Sequence, residues 1–300
     1  MPDRELIGYS GQPPHPEWPD GARVALQFVL NIEEGAERTI LNGDQTSESY
    51  LHEVYGKPAR TGERDLSVES MYEYGARAGT WRLLELFNTR GLPITAFATG
   101  RALELTPEIG QAMANAGHEI AGHGYRWIDY RQLTYKQEQD HIARTIRVID
   151  TVCGQRPVGW YTGRASEHTL RLLQEEGGFH YCSDAYNDDL PYWRTTAELP
   201  QLIIPYTLVN NDVRYLWPNG FASGADFLQQ LKDAFDLLWQ EGERHPKMMS
   251  IGLHGRISGH PARTMALVRF LDYVQAHDLV WICRREQIAQ HWMASHPYCS

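Results

Sequence analysis

The sequence has no basic cluster, no long apolar stretch and few cysteines, and each absence removes a class of function. Lys and Arg number 28 against 38 Asp and Glu, a net charge of −10. Without a run of basic residues there is no electrostatic footprint for a phosphate backbone, so nucleic acid is not an expected partner. No stretch approaches the roughly 18 apolar residues of a membrane span. Residues 1–9 carry charges and lack the apolar centre of a signal peptide, which makes a cytoplasmic location the expectation and a membrane role unexpected. Cys153, Cys182, Cys283 and Cys299 lie far apart with no Cys-x-x-Cys pair. Neither a disulfide framework nor a thiolate zinc site is indicated, and free thiols are expected.

What is present is enough apolar material for one large core: 300 residues, 42% of them apolar and 11% aromatic. Short β-branched runs at 24–30, 94–98, 118–121, 158–161, 179–183, 202–206, 248–253 and 279–283 alternate with helical patterns at 70–89, 107–116, 135–152, 166–176, 225–240 and 262–276. Alternation of this kind implies parallel pairing through right-handed crossovers. The expected fold is α/β, a single-domain (β/α) barrel of seven to eight parallel strands over 1–300, with an open doubly wound sheet as the alternative. Three stretches stand outside the repeat. They are an amino-terminal extension over about 1–20, a polar insertion over about 35–68, and a segment at 184–222 rich in Asn, Asp, Pro and aromatics. Long excursions in a compact domain usually serve as lids, binding loops or subunit contacts.

In such barrels chemistry sits at the carboxyl ends of the strands. The first apolar run leads into Asn31-Ile32-Glu33-Glu34-Gly35, two adjacent acids that can share a site only if the strand has already broken into loop. The third ends in Gly122-His123-Gly124-Tyr125-Arg126-Trp127, and the fourth in Trp160-Tyr161-Thr162-Gly163-Arg164, where Arg164 is a candidate anion or carbonyl contact. Near the carboxyl terminus His254 directly follows an apolar strand, a good position for a general acid because imidazole titrates near neutral pH.

These residues, in this order, resemble the motifs of the NodB-type polysaccharide deacetylases, carbohydrate esterases of family four, over nearly the whole chain. The resemblance places Glu33 and Glu34 where that family has a base and a metal-ligating aspartate. His123 stands at the first of its two metal-ligating histidines, and His254 at its catalytic histidine. Trp127 takes the second histidine position, and an indole N–H donates but cannot ligate a cation. One of the three protein ligands usual for catalytic zinc is thereby missing. Tyr161 occupies the place of a family arginine, with Arg164 three residues on, and the fourth motif corresponds to 184–193, which contains Asp184 and Trp193.

His-Gly-Tyr-Arg-Trp, Gly-Trp-Tyr-Thr-Gly-Arg, Asp-Asp-Leu-Pro-Tyr-Trp and Ile204-Pro205-Tyr206-Thr207 together are similar to the metal-independent allantoinases within this family. That resemblance implies opening of a hydantoin ring, (S)-allantoin to allantoate, with no metal or other cofactor, in a homo-oligomer, by resemblance a tetramer. The expected partner is a small cyclic ureide. Catalysis would fall to Glu33, Glu34, His123 and His254, one acid of the pair being raised toward a useful base by the other. Trp127, Tyr161, Arg164, Asp184 and Trp193 would contact substrate. Residues 210–221 depart from the expected pattern, which leaves a cyclic imide as an alternative substrate. A polysaccharide or chitooligosaccharide N-deacetylase and a non-catalytic binding protein are the rival functions.

Overall fold

The computed structural model describes residues 4–196 and 199–299. Its centre is strand β1 (Val24–Ile32), nine residues that are all buried, as a strand covered on both faces must be. One edge of β1 pairs along its length with β8 (Lys247–His254). The other edge is shared by β2 (Thr95–Ala98) at the carboxyl end and β9 (Val280–Ile282) at the amino end. From β2 the sheet continues through β3 (Glu119–Gly122), β4 (Gly159–Trp160), β5 (Tyr181–Cys182) and β7 (Leu199–Ile203) to β6 (Tyr192–Thr196). Among the described residues eight strands are parallel, and each falls within a residue or a few of an expected apolar run. The ninth, β6, is antiparallel to β7 and lies in the 184–222 excursion outside the expected repeat. The result is an α/β half-barrel of mostly parallel strands.

Among the described residues no ladder joins β8 to β5 or β7. The seam is bridged by single backbone contacts, Met248 N–H to Asp189 O at 3.0 Å and Gly252 N–H to Asn210 O at 2.9 Å. Inside it runs one buried cation. The Arg285 guanidinium donates to Gln27 Oε1 on β1 and Ser250 Oγ on β8, both at 2.8 Å, and to Ser183 Oγ after β5 at 2.9 Å. It also donates to the carbonyls of Ile204 and Pro205 after β7. A planar fork with five donors is suited to this task, because its bonds can reach strands on both sides of the gap at once.

The helices follow their sequence signals where those signals are strong. Tyr135–Cys153 opens with a Thr134/Gln137 capping box and closes on Gly154 in the left-handed conformation. The expected helix at 70–89 is instead Leu66–Tyr74 and Thr80–Thr89 joined by a wide turn over Gly75–Gly79. That turn abuts the short helix Gly255–Ser258, and a Cβ on Gly79 would overlap the Gly255 carbonyl oxygen. Contact of this closeness needs glycine on both elements. It fixes the backbone immediately after His254. Two further helices, Gly100–Leu105 and Arg285–Ser295, were not expected from the sequence.

Candidate active site

At the carboxyl ends of the strands lies a cleft of about 90 Å³ lined by Asn31, Glu33, His123, Trp127, Tyr161, Arg164, Tyr206 and His254, with Tyr50 and Leu51 from the 35–68 insertion. Glu33, the first residue past β1, is its polar centre. Glu33 Oε1 lies 3.1 Å from His123 Nε2 and 3.3 Å from His254 Nε2, and its Oε2 lies 2.7 Å from Arg256 Nη1. All four side chains are buried. Burial alone would push the Glu33 carboxyl up, but Arg256 and the two histidines outweigh it and hold it well below the usual carboxylate range.

His254 is held at both nitrogens. Its Nδ1 lies 2.7 Å from Asp212 Oδ1 and its Nε2 faces Glu33, so both ring nitrogens meet carboxylate acceptors, the arrangement of an imidazolium. Asp212 is itself fixed by the backbone N–H groups of His254 at 2.7 Å and Ser258 at 3.2 Å. Burial works to lower the His254 pKa, yet Glu33 and Asp212 prevail and raise it to about 9. The cleft therefore pairs an ionised carboxylate with a protonated imidazole at neutral pH, two groups whose environments drive them into opposite roles. The Arg256 guanidinium lies between the rings of Tyr72 and Trp127, 4.5 and 5.1 Å from their centres, which holds it against Glu33.

The other expected site residues divide. His123 donates from Nδ1 to Tyr161 O at 2.7 Å and stacks on the Tyr161 ring. Trp127 forms a wall of the cleft, stacked on Tyr50 and covered by the Arg164 guanidinium at 4.3 Å. Arg164 donates to Trp127 O at 2.6 Å, and Tyr161 Oη pairs with Tyr186 Oη at 2.7 Å. Glu34 does not reach the cleft. In the turn that follows β1 it points the other way, packs over Gly75 and sits 3.8 Å from Arg256. Burial raises its pKa, with Glu33 adding to the effect and Arg256 opposing it.

Asp184 lies behind the cleft lining. It accepts from Thr162 N at 2.9 Å and Gly163 N at 2.7 Å and so shapes the loop that presents Tyr161 and Arg164. Trp193 is on β6, donates to His296 O at 2.8 Å and packs in the core cluster around Trp18, outside the cleft. Its placement follows from the unforeseen antiparallel strand. Asp212, Arg256, Tyr206, Asn31, Tyr50 and Tyr186 join the site without having been assigned to it. Asp212 belongs to the 210–221 stretch whose departure from the pattern was the only signal, and Arg256 stands two residues beyond His254 with no periodicity to mark it.

A family metal does not fit these residues. Trp127 offers no lone pair, Glu33 Oε2 is engaged by Arg256, and the Nε2 atoms of both histidines converge on Glu33 Oε1 rather than on a common empty point. Among the described residues no three His, Cys, Asp or Glu side chains form a metal-binding group.

A polysaccharide deacetylase sequence profile matches residues 61–181. A "putative polysaccharide deacetylase" of Schizosaccharomyces pombe is 40% identical over 98% of each chain. Among solved structures, a "probable polysaccharide deacetylase" from Pseudomonas aeruginosa PAO1 is 55% identical with a TM-score of 0.96 over 99% of both chains. The crystal structure of a PuuE allantoinase is 53% identical with a TM-score of 0.97 over the same share. With this fold, these strand-end motifs and relatives of this similarity along its full length, the chain belongs to the polysaccharide deacetylase family.

Proposed function

We propose that this member of a hydrolase family opens a cyclic amide, (S)-allantoin to allantoate first, without a catalytic metal. The observation that carries the reading is the buried Glu33–His254–Asp212 chain beside Trp127, a base and an acid already ionised in complementary senses where the family's metal would need a second histidine. The 53% identity to a PuuE allantoinase supports it. So does the small cleft, well below the roughly 300–1,000 Å³ of sites for drug-sized ligands and roofed by Tyr50 and Leu51.

In the reaction, Glu33 takes a proton from water as the water oxygen bonds to the ring carbonyl carbon. The tetrahedral oxyanion then collapses, the ring C–N bond breaks, and His254 protonates the departing nitrogen. The 3.3 Å contact between Glu33 Oε1 and His254 Nε2 lets the proton on Glu33 return to His254, and the new carboxylic acid releases its own proton to solvent. This differs from the sequence-based expectation in one respect. The acid in the cleft is the one with the lowered pKa, held as a carboxylate by Arg256, and the raised one, Glu34, lies outside it. His123 orients Glu33, and Trp127, held by Tyr50, Arg164 and Arg256, closes one side of the cleft.

No helix among the described residues is long and apolar enough to cross a membrane. A cytoplasmic homo-oligomer remains the proposed setting, and a small ring the proposed partner. The test is a substrate panel. Purified protein should convert allantoin to allantoate and release no acetate from chitooligosaccharides. Acetate release without opening of any hydantoin or imide overturns the proposal in favour of a sugar deacetylase. Opening of imides but not allantoin keeps the chemistry and changes the substrate.

A further inference from the structure

Tyr206 follows β7, lines the cleft and is buried. Its phenolic oxygen meets two side-chain amides, Asn31 Nδ2 at 3.1 Å and Asn211 Nδ2 at 3.5 Å. Backbone groups that can play only one part fix how both amides face. Asn31 Nδ2 also lies 3.1 Å from the Leu253 carbonyl, which can only accept. Asn211 Nδ2 lies 3.1 Å from the Thr207 carbonyl, while its Oδ1 accepts from Val213 N–H at 3.1 Å. Both amides therefore donate to Tyr206. A phenol has one hydrogen to give and accepts through its oxygen, so with its acceptor positions taken, the O–H must point elsewhere.

The packed side is closed to it. A Cβ on Gly252 of β8 would overlap both Asn211 Nδ2 and Tyr206 Oη, so these groups already fill the space beside the strand. The cleft is the open direction. Asn31 is in the complementary position: both hydrogens of its amide are used, on Tyr206 and Leu253, and no described residue donates to its Oδ1. It pairs in register with His254 across β1 and β8 and precedes Glu33 by two residues, which sets it beside the acid and the base.

We propose that the Tyr206 hydroxyl and the Asn31 carboxamide oxygen form a donor–acceptor pair that reads the C=O/N–H edge of a ring amide. Tyr206 donates to the carbonyl oxygen as it becomes the oxyanion, and Asn31 accepts from the scissile N–H. The inference deepens the ring-hydrolase reading and rests on it. A small ring forces an amide's C=O and N–H onto the same side, whereas an open-chain secondary amide such as an acetamido group strongly prefers the opposite arrangement. Adjacent donor and acceptor fit the first and not the second. Burial keeps the phenol far above its usual pKa, so the hydroxyl retains its proton throughout the working range.

The pair assigns the oxyanion contact to a residue other than the available alternatives. Tyr161 Oη pairs with Tyr186, and Arg164 lies over the Trp127 ring with one of its N–H groups on the Trp127 carbonyl, whereas Tyr206 is the one held by Asn31. Tyr206→Phe removes the hydroxyl alone, and Asn31→Leu removes the acceptor oxygen together with the amide hydrogens given to Tyr206 and Leu253. The probes are a hydantoin or imide that the wild type opens and the same ring methylated on the scissile nitrogen. Loss of one oxyanion donor typically costs about 10²–10³ in kcat, so Tyr206→Phe should lower kcat by that factor with little change in KM. The wild type should favour the unmethylated ring by on the order of 100-fold or more, and Asn31→Leu should bring that ratio close to one.

A Tyr206→Phe enzyme with near-normal kcat, or an Asn31→Leu enzyme that discriminates as the wild type does, overturns the pair while leaving the ring-hydrolase reading intact. Because the wild type alone must discriminate, equal turnover of both rings by it also overturns the pair, even where neither variant folds. If the wild type opens no ring at all, the functional reading falls and the pair with it.

Discussion

Two buried polar networks occupy the two halves of the barrel. At the carboxyl ends of the strands, Glu33, His254, Asp212 and Arg256 are charges of both signs in contact with one another and with a cleft. Deeper in, Arg285 is a lone fully buried cation whose hydrogen-bond partners are all neutral: Gln27, Ser183, Ser250 and two carbonyls. The first network can exchange protons internally at little cost, because the loss of one charge is felt by a neighbour that can respond. The second hydrogen-bonds the guanidinium to neutral, non-titrating acceptors and touches strands on both sides of an unladdered seam. Burial of charge therefore does not itself mark a site. What marks it is paired titratable groups with opposite shifts, opening on a cavity.

The contrast can be broken most severely at Glu33. Glu33→Gln should lower kcat by about 10²–10⁴, the usual range for a general base, and should also destabilise the fold because Arg256 loses its buried counter-charge. Steady-state kinetics with a melting curve separates the two effects. His254→Asn should cost a similar factor in kcat. If a folded variant of either kind turns over normally, the proton-transfer assignment is wrong.

Asp212→Asn sharpens the comparison through pH. The His254 pKa is raised to about 9 by Glu33 and Asp212 against the effect of burial. The acid is active when protonated, so wild-type kcat should hold through neutral pH and decline as pH rises through about 9. Removing the Asp212 charge stabilises the imidazolium less and should move that decline to lower pH. An unmoved alkaline limb would detach Asp212 from His254.

Arg285→Met should do the opposite of the Glu33 change. It leaves buried acceptors unsatisfied, at about 1–3 kcal/mol each, so the melting temperature should fall while kcat per folded molecule stays close to wild type. A selective loss of kcat with unchanged stability would make the inner network part of the chemistry. The smallest effect is expected at Glu34→Gln. Burial already favours the neutral carboxyl there, and the side chain faces Gly75 rather than the cleft. A kcat change within about tenfold fits a position outside proton transfer, compared with the 10²-fold or more expected of a participant.

Much of this was legible in the sequence because the parallel strands are short, apolar and separated by helices with strong punctuation. The eight parallel strands among the described residues each overlap an expected run, and His123, Trp127, Tyr161 and Arg164 follow strand ends while His254 closes β8, where the fold gathers side chains into the cleft. Three things were not legible. The antiparallel β6 is Tyr-Trp-Arg-Thr-Thr, whose pattern is masked by the Pro- and Asp-rich stretch before it, and its pairing with β7 takes Trp193 to the far packing cluster. Glu33 and Glu34 can share a site, by sequence, only where the strand has broken into loop; β1 does end at Ile32, yet the turn that follows still sends Glu34 toward Gly75 and leaves Glu33 alone in the cleft. Asp212 and Arg256 depend on long-range contacts, with Asp212 meeting His254 across 42 residues of chain, and no local periodicity records such a meeting.

The most direct test of the central claim is ring opening measured on protein whose metal content has been quantified before and after exhaustive chelation. Allantoin hydrolysis should persist at its original rate with well under one equivalent of zinc, cobalt, nickel or manganese per chain, and added metal should not increase it. Activity that disappears with the metal and returns when it is restored would contradict the account, because the Glu33–His254–Asp212 chain would then not suffice to activate water and protonate the leaving nitrogen.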